Sequence, residues 1–221
     1  MGFDFKYSVI WESVPVLLTG LKLTILITFF GLVIGFFLGT LFGLGKTSRN
    51  RVVYGIASAY VESIRGTPLM VQVMFLYFGL PMVLGMRVPP LAAGISAIAI
   101  NSGAYIAEIV RGAVQSIDRG QVEAGRSIGL SHVQCLLYII WPQAFKRMIP
   151  PLGNQFIISL KDTSLLVVIG VGELTRTGQE IIAVNFRAFE VWLTVALMYL
   201  TLTLTLSRVL NFTERKLEIK T

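Results

Sequence analysis

The run Val14–Phe42 is apolar for almost its whole length and is punctuated by Gly20, Gly31, Gly35 and Gly39. A helix crosses the ~30 Å hydrocarbon layer with about 20 apolar residues, so this run spans it with length to spare and is expected to tilt. Four further apolar runs follow, at about 67–84, 91–110, 151–171 and 191–210. With 54% hydrophobic and 14% charged residues, the chain has too few polar side chains to cover a water-soluble globule. These features predict an all-α integral membrane protein of five transmembrane helices, one transmembrane domain over residues 1–221. The first run follows a polar start with Trp11 as an interfacial anchor and far exceeds a signal-peptide core, so it is expected to remain in the membrane.

Several other classes find no support. Cys135 stands alone, which excludes an internal disulfide, and His132 beside it makes too few ligands for zinc. The net charge of +7 invites a nucleic-acid reading, but the basic residues cluster in loops beside apolar runs, where a membrane accounts for them. Gly45-Lys46-Thr47 ends like a phosphate-binding loop, yet Thr40 stands where its first glycine belongs, and the segment leaves an apolar helix instead of a strand. This chain is not expected to bind ATP.

Basic residues also set the orientation. Five spans put Lys46, Arg49, Arg51, Arg111, Arg119, Arg126, Lys146, Arg147, Arg208, Arg215, Lys216 and Lys220 on one side, and Lys6, Arg87, Arg176 and Arg187 on the other. A bias of about twelve to four predicts the amino terminus outside and the carboxyl terminus in the cytoplasm.

Between spans lie three polar interruptions. Val52–Arg65 is an amphiphilic lead-in to the second span; Glu62 and Arg65 are expected to compensate each other one turn apart, with Thr67 capping the next helix and Pro68 in its first turn. Val171–Glu190 reads as an outward-facing segment with a short surface helix carrying Glu173, Arg176, Glu180 and Arg187. The third, Gln121–Pro150, carries Glu123, Arg126, Lys146 and Arg147, charges that each cost roughly 2.5–3.5 kcal/mol at the bilayer centre. Gly129 can turn the chain between two short helices, Gln121–Ile128 and Ser131–Ile140, with Pro142 ending the second. An ordinary solvated connection and a docking knob both fit such a knuckle.

Candidate binding groups lie within the spans, where ionisable residues default to functional roles. At about 100° per residue, Asn101, Tyr105 and Glu108 share one helix face with Ser102 beside them. Gln155 and Asp162 stand two turns apart on one face, while Lys161 points elsewhere. Such groups suit a zwitterion; they would equally glue helices together at roughly 0.6–2 kcal/mol per hydrogen bond. An ion-coupled transporter with Glu108 or Asp162 as proton relay, and a non-transporting anchor or sensor, use the same residues. The glycine repeat Gly31, Gly35, Gly39 admits a close helix neighbour, in this chain or in a second copy.

The pattern Glu123-Ala124-Gly125, Gly129, Ile139, Pro142 resembles the EAA loop with which permease subunits of ABC importers engage a separate ATPase. Arg65-Gly66-Thr67-Pro68 resembles a signature of polar amino acid permeases. The segments 101–117, 150–170 and 172–187 extend that resemblance, within the bacterial glutamine-type permeases, over nearly the whole chain. The resemblance implies the type I ABC importer permease fold in the bacterial cytoplasmic (inner) membrane, with the coupling loop at about 118–147. It implies a transporter subunit, not an enzyme: a homodimer with two ATPase subunits that bind ATP and Mg, an extracytoplasmic amino acid-binding protein, and no cofactor in this chain. Its substrate contacts would be Asn101, Ser102, Tyr105, Glu108, Gln155 and Asp162. Relatives for cationic amino acids carry a carboxylate where this chain has Gln155, so glutamine is expected first, with asparagine, glutamate, histidine and basic amino acids open.

Overall fold

The computed structural model describes residues 4–216 and is helical throughout, with no strand among them. Its helices are α1 (Tyr7–Gly45), α2 (Arg51–Arg65), α3 (Leu69–Leu84), α4 (Pro90–Gln115), α5 (Arg119–Ser127), α6 (His132–Ile169), α7 (Leu174–Asn185) and α8 (Ala188–Lys216). By length and composition α1, α4, α6 and α8 can each cross a bilayer, and α2 with α3 makes a fifth candidate bent by 103°. Lys220, counted in the charge bias, lies outside the described residues.

The α1–α4 contact is the densest in the fold and rests on missing side chains. Gly31 faces Ile98, Gly35 faces Ser102, Gly39 faces Ile106 and Gly43 faces Val110, so the two helices run parallel and step together by four residues. A methyl group on Gly39 would stand 2.8 Å from the Gly103 carbonyl oxygen, and one on Gly43 would stand 2.6 Å from that of Ala107. Backbone cannot give way as a flexible side chain can, so the glycines set the interhelical distance. The repeat thus packs within the chain. Gly20 does the same for α7, whose Thr177 and Leu174 press on it.

Proline does not stop the membrane helices where local rules say it should. The helix expected to end before Pro142 continues through Pro142, Pro150 and Pro151 to Asp162 and then tightens into a 3-10 stretch to Ile169. The span expected from about 151 is therefore the far half of α6, a helix that begins in the knuckle. Its first turns widen into a π turn at Cys135–Ile140, where the Trp141 N–H reaches back five residues to the Leu136 carbonyl. Proline offers no N–H and crowds the carbonyl four residues before it; a wider turn immediately upstream relieves both. The same device recurs in α3, where the π turn Phe75–Gly79 precedes Pro81.

Two expectations about caps and charges also change. Thr67 does not cap α3; its hydroxyl donates back to the Ser63 carbonyl at 3.0 Å and so finishes α2. Glu173 is not on the surface but fully buried, capping α7 through the Thr175 and Arg176 N–H groups at 2.9 and 2.8 Å, with the Tyr199 hydroxyl at 3.1 Å. Burial pushes its carboxyl above the usual range despite those donors. Arg176 and Glu180 do form the exposed pair expected of a surface helix, at 2.8 Å. Thr201, Thr203 and Thr205 donate to carbonyls one turn back on α8, which makes them tolerable in an apolar helix.

Gly39→Val should lower the thermal stability of the detergent-solubilised protein by about 1–3 kcal/mol, the usual cost of overpacking. Gly55→Ala, on an α2 face with nothing within 4 Å, should be neutral or slightly stabilising by comparison. Equal melting shifts for the two would deny the glycine contact its role.

Candidate functional site

The 103° bend between α2 and α3 opens a cavity of about 600 Å³. Gly66-Thr67-Pro68 makes the corner, and the walls are Arg65, Leu69, Asn101, Tyr105, Gln155, Ile158 and Asp162. Cavities of this size suit a small organic ligand fixed by a few polar groups. A second cavity of similar volume, about 610 Å³, is walled by Phe29, Phe36, Phe156, Leu210 and other apolar groups, and offers little to orient a polar molecule.

Four of the six candidates from the sequence meet at the polar cavity: Asn101 and Tyr105 from α4, Gln155 and Asp162 from α6. Lys161 points outward, as the helical register requires. Ser102 does not reach the cavity, because it lies on the α4 face that meets Gly35. Glu108 does not line it either. Its carboxylate binds Lys46 at 2.8 Å and Arg111 at 2.7 Å, with Arg65 at 3.9 Å, tying the ends of α1 and α2 to α4. Arg65 therefore pairs across the fold, not with Glu62, which makes no ion pair among the described residues. Its guanidinium also lies 5.2 Å from the centre of the Tyr105 ring. One acid shared among three bases leaves positive charge in excess beside the cavity, and Arg65 is the least tightly held of the three.

Gln72 escaped the sequence reading. It is buried on the first turns of α3, and its amide nitrogen donates to the carbonyls of Ile64 at 2.7 Å and Thr67 at 3.0 Å. Its oxygen accepts from the Asn101 amide at 3.0 Å. The signal was available: one amide in an otherwise apolar first turn has to find partners once buried.

In the knuckle, Gly129 adopts a positive φ of 89°, and Ser131 with Gln134 forms a reciprocal capping box that starts α6. A side chain at Gly125 would meet the tip of Ile139 at 2.5 Å and the Cys135 sulfur at 2.9 Å, so α5 lies directly on the π turn. Glu123, Ala124 and Pro142 remain exposed, with Ile128, Val133, Leu137 and Tyr138 uncovered around them. Arg147 fastens this end to the bundle, donating to the Ser116 carbonyl at 2.6 Å.

Residues 31–219 match the family described as binding-protein-dependent transport system inner membrane component. The chain is 52% identical to the glutamine transport system permease protein GlnP of Escherichia coli (strain K12), over 98% of this chain and 99% of that one. It is 34% identical to the arginine transport system permease protein ArtQ of Bacillus subtilis (strain 168), over 99% of each. Among solved structures, a chain of an amino acid ABC transporter crystallised with histidines superposes with a TM-score of 0.91 at 41% identity, over 97% of this chain and 100% of that one.

A double-mutant cycle on Lys46→Met and Glu108→Gln, read by thermal unfolding, should give a coupling of about 1–3 kcal/mol. Additive effects would mean that the two side chains do not interact.

Proposed function

The chain belongs to the family of inner-membrane components of binding-protein-dependent transport systems, and from that premise we propose that its cavity carries a polar amino acid, glutamine first, into the cytoplasm. It acts as the permease subunit of an ATP-driven importer. The observation that carries this reading is the polarity of the cavity: Arg65 and the start of α3 on one side, Asp162, Gln155 and Asn101 from two other helices around it. A zwitterion needs both signs. Arg65 and the unpaired N–H groups at the α3 amino terminus would hold the α-carboxylate. Asp162 would face the α-ammonium, and the amides of Gln155 and Asn101 would meet the side-chain amide of the substrate. An uncharged Gln155 leaves one acid in the cavity, enough for the ammonium but not for a second cation brought into low dielectric. Glutamate, histidine and basic amino acids are the alternatives.

Coupling falls to the knuckle. Its exposed acid and apolar groups would dock on a separate ATPase subunit, with the amino terminus outside and the carboxyl terminus in the cytoplasm, as the charge bias supports. Two such ATPases, holding ATP and Mg, a second permease copy and an extracytoplasmic binding protein would complete the importer. Closure of the ATPases would move the knuckles and with them α6, opening the cavity alternately to each side; substrate rides that cycle only if its affinity differs between the two states.

Glu123→Arg should leave the chain folded and abolish its co-purification with the ATPase; wild-type coupling in that variant would end the docking proposal. Gln155→Glu should raise uptake of arginine or lysine relative to glutamine in reconstituted vesicles, and unchanged selectivity would remove Gln155 from the site.

A further inference from the structure

The cavity carries more chemical information than the side chains that wall it, because an amide behind that wall cannot turn. Gln72 donates through the same nitrogen to two main-chain carbonyls, those of Ile64 and Thr67. A carbonyl oxygen can only accept, so the Gln72 nitrogen must face them and its oxygen must face the other way. That oxygen meets Asn101, and an acceptor there requires Asn101 to present its nitrogen. The Asn101 oxygen is what remains. It accepts no hydrogen bond among the described residues, is not among the enclosed unpartnered atoms, and belongs to a residue that walls the cavity. Two backbone carbonyls, one in the last turn of α2 and one in the corner after it, thus decide, through Gln72, which atom of Asn101 a ligand meets.

We infer that Gln72 is a positioning residue for substrate selection: it locks Asn101 as a hydrogen-bond acceptor, so that the cavity favours a side-chain amide over a side-chain carboxylate. This rests on the amino acid reading of the cavity and deepens it. An amide N–H of glutamine satisfies the Asn101 oxygen, whereas the carboxylate of glutamate brings a second acceptor against it and leaves both unpaired. Leaving a buried acceptor without a donor is costlier than losing a favourable contact. Without the lock, Asn101 could rotate to offer its nitrogen, and the distinction would fade. Gln72 itself need not touch the ligand.

The test uses the purified permease–ATPase complex without the binding protein, so that the selectivity read is that of the cavity. Equilibrium binding of radiolabelled glutamine and glutamate gives a ratio of affinities for each variant. Gln72→Met removes the lock and should reduce the preference for glutamine by about tenfold. Gln72→Glu, when ionised, presents only acceptors to Asn101 and adds a negative charge that itself disfavours glutamate, so it should retain at least the wild-type ratio. Asn101→Ala removes the acceptor with Gln72 intact; it should match Gln72→Met and decides the matter if that variant does not assemble. An unchanged ratio in Asn101→Ala, or an equal loss in Gln72→Met and Gln72→Glu, would overturn the inference while leaving glutamine binding in place. A wild-type complex that binds neither amino acid would overturn the cavity reading and this inference together.

Discussion

Everything in this fold is referred to the line along which α1 and α4 touch. Four glycines let the backbones approach until the α4 backbone and the side chains of Ile98, Ser102, Ile106 and Val110 limit them, and that contact fixes how α4 is rotated about its axis. With Ile98, Ser102 and Ile106 committed to α1, Asn101 and Tyr105 are left on the adjoining flank of α4, where they line the cavity. The cavity is built from what the glycine contact leaves over. Because close packing, alongside interhelical hydrogen bonds, drives helices together in lipid, a few missing side chains can decide where the polar ones end up.

The cavity also needs a corner, and α2 and α3 supply it at some expense in backbone hydrogen bonding. Gly66-Thr67-Pro68 interrupts the helix and leaves carbonyls in the last turn of α2 and in the corner itself short of helical partners. Thr67 and Gln72 satisfy them with side-chain donors. The break, its repair and the orientation of Asn101 are one connected arrangement. Beside it, Glu108 gathers Lys46, Arg111 and Arg65 from three segments, leaving a charged cluster next to the cavity.

Much of this could be read from the chain, and the parts that could not share a cause. The long apolar runs, the glycine stripe and the common faces of Asn101 with Tyr105 and of Gln155 with Asp162 follow from periodicity, which needs only the residues themselves. Periodicity does not say what a face looks at. Ser102 therefore reads like its neighbour Asn101, although one meets a glycine and the other a cavity. Local spacing pairs Arg65 with Glu62 one turn away, whereas its acid comes from a helix far along the chain. Pro142 looked like a stop because the rule describes regular helices, and the π turn that absorbs it is set by geometry the sequence does not display. Gln72 is different. A single amide among Leu69, Met70, Val71 and Val73 is a visible conflict between burial and polarity, and following it to its partners would have led to the cavity's corner.

The continuity of α6 has a mechanical meaning. One unbroken helix carries Ile139, under the exposed knuckle, and Gln155 and Asp162, on the cavity wall. A rod of this kind acts as a lever: load on its outer end is delivered to its inner arm, less whatever the π turn at its base takes up in bending. Levers work from either end, and thermodynamic linkage demands the same symmetry. If load at the tip changes what the wall at Asp162 binds, a molecule held there must alter, by an equal free energy, how readily the tip accepts that load.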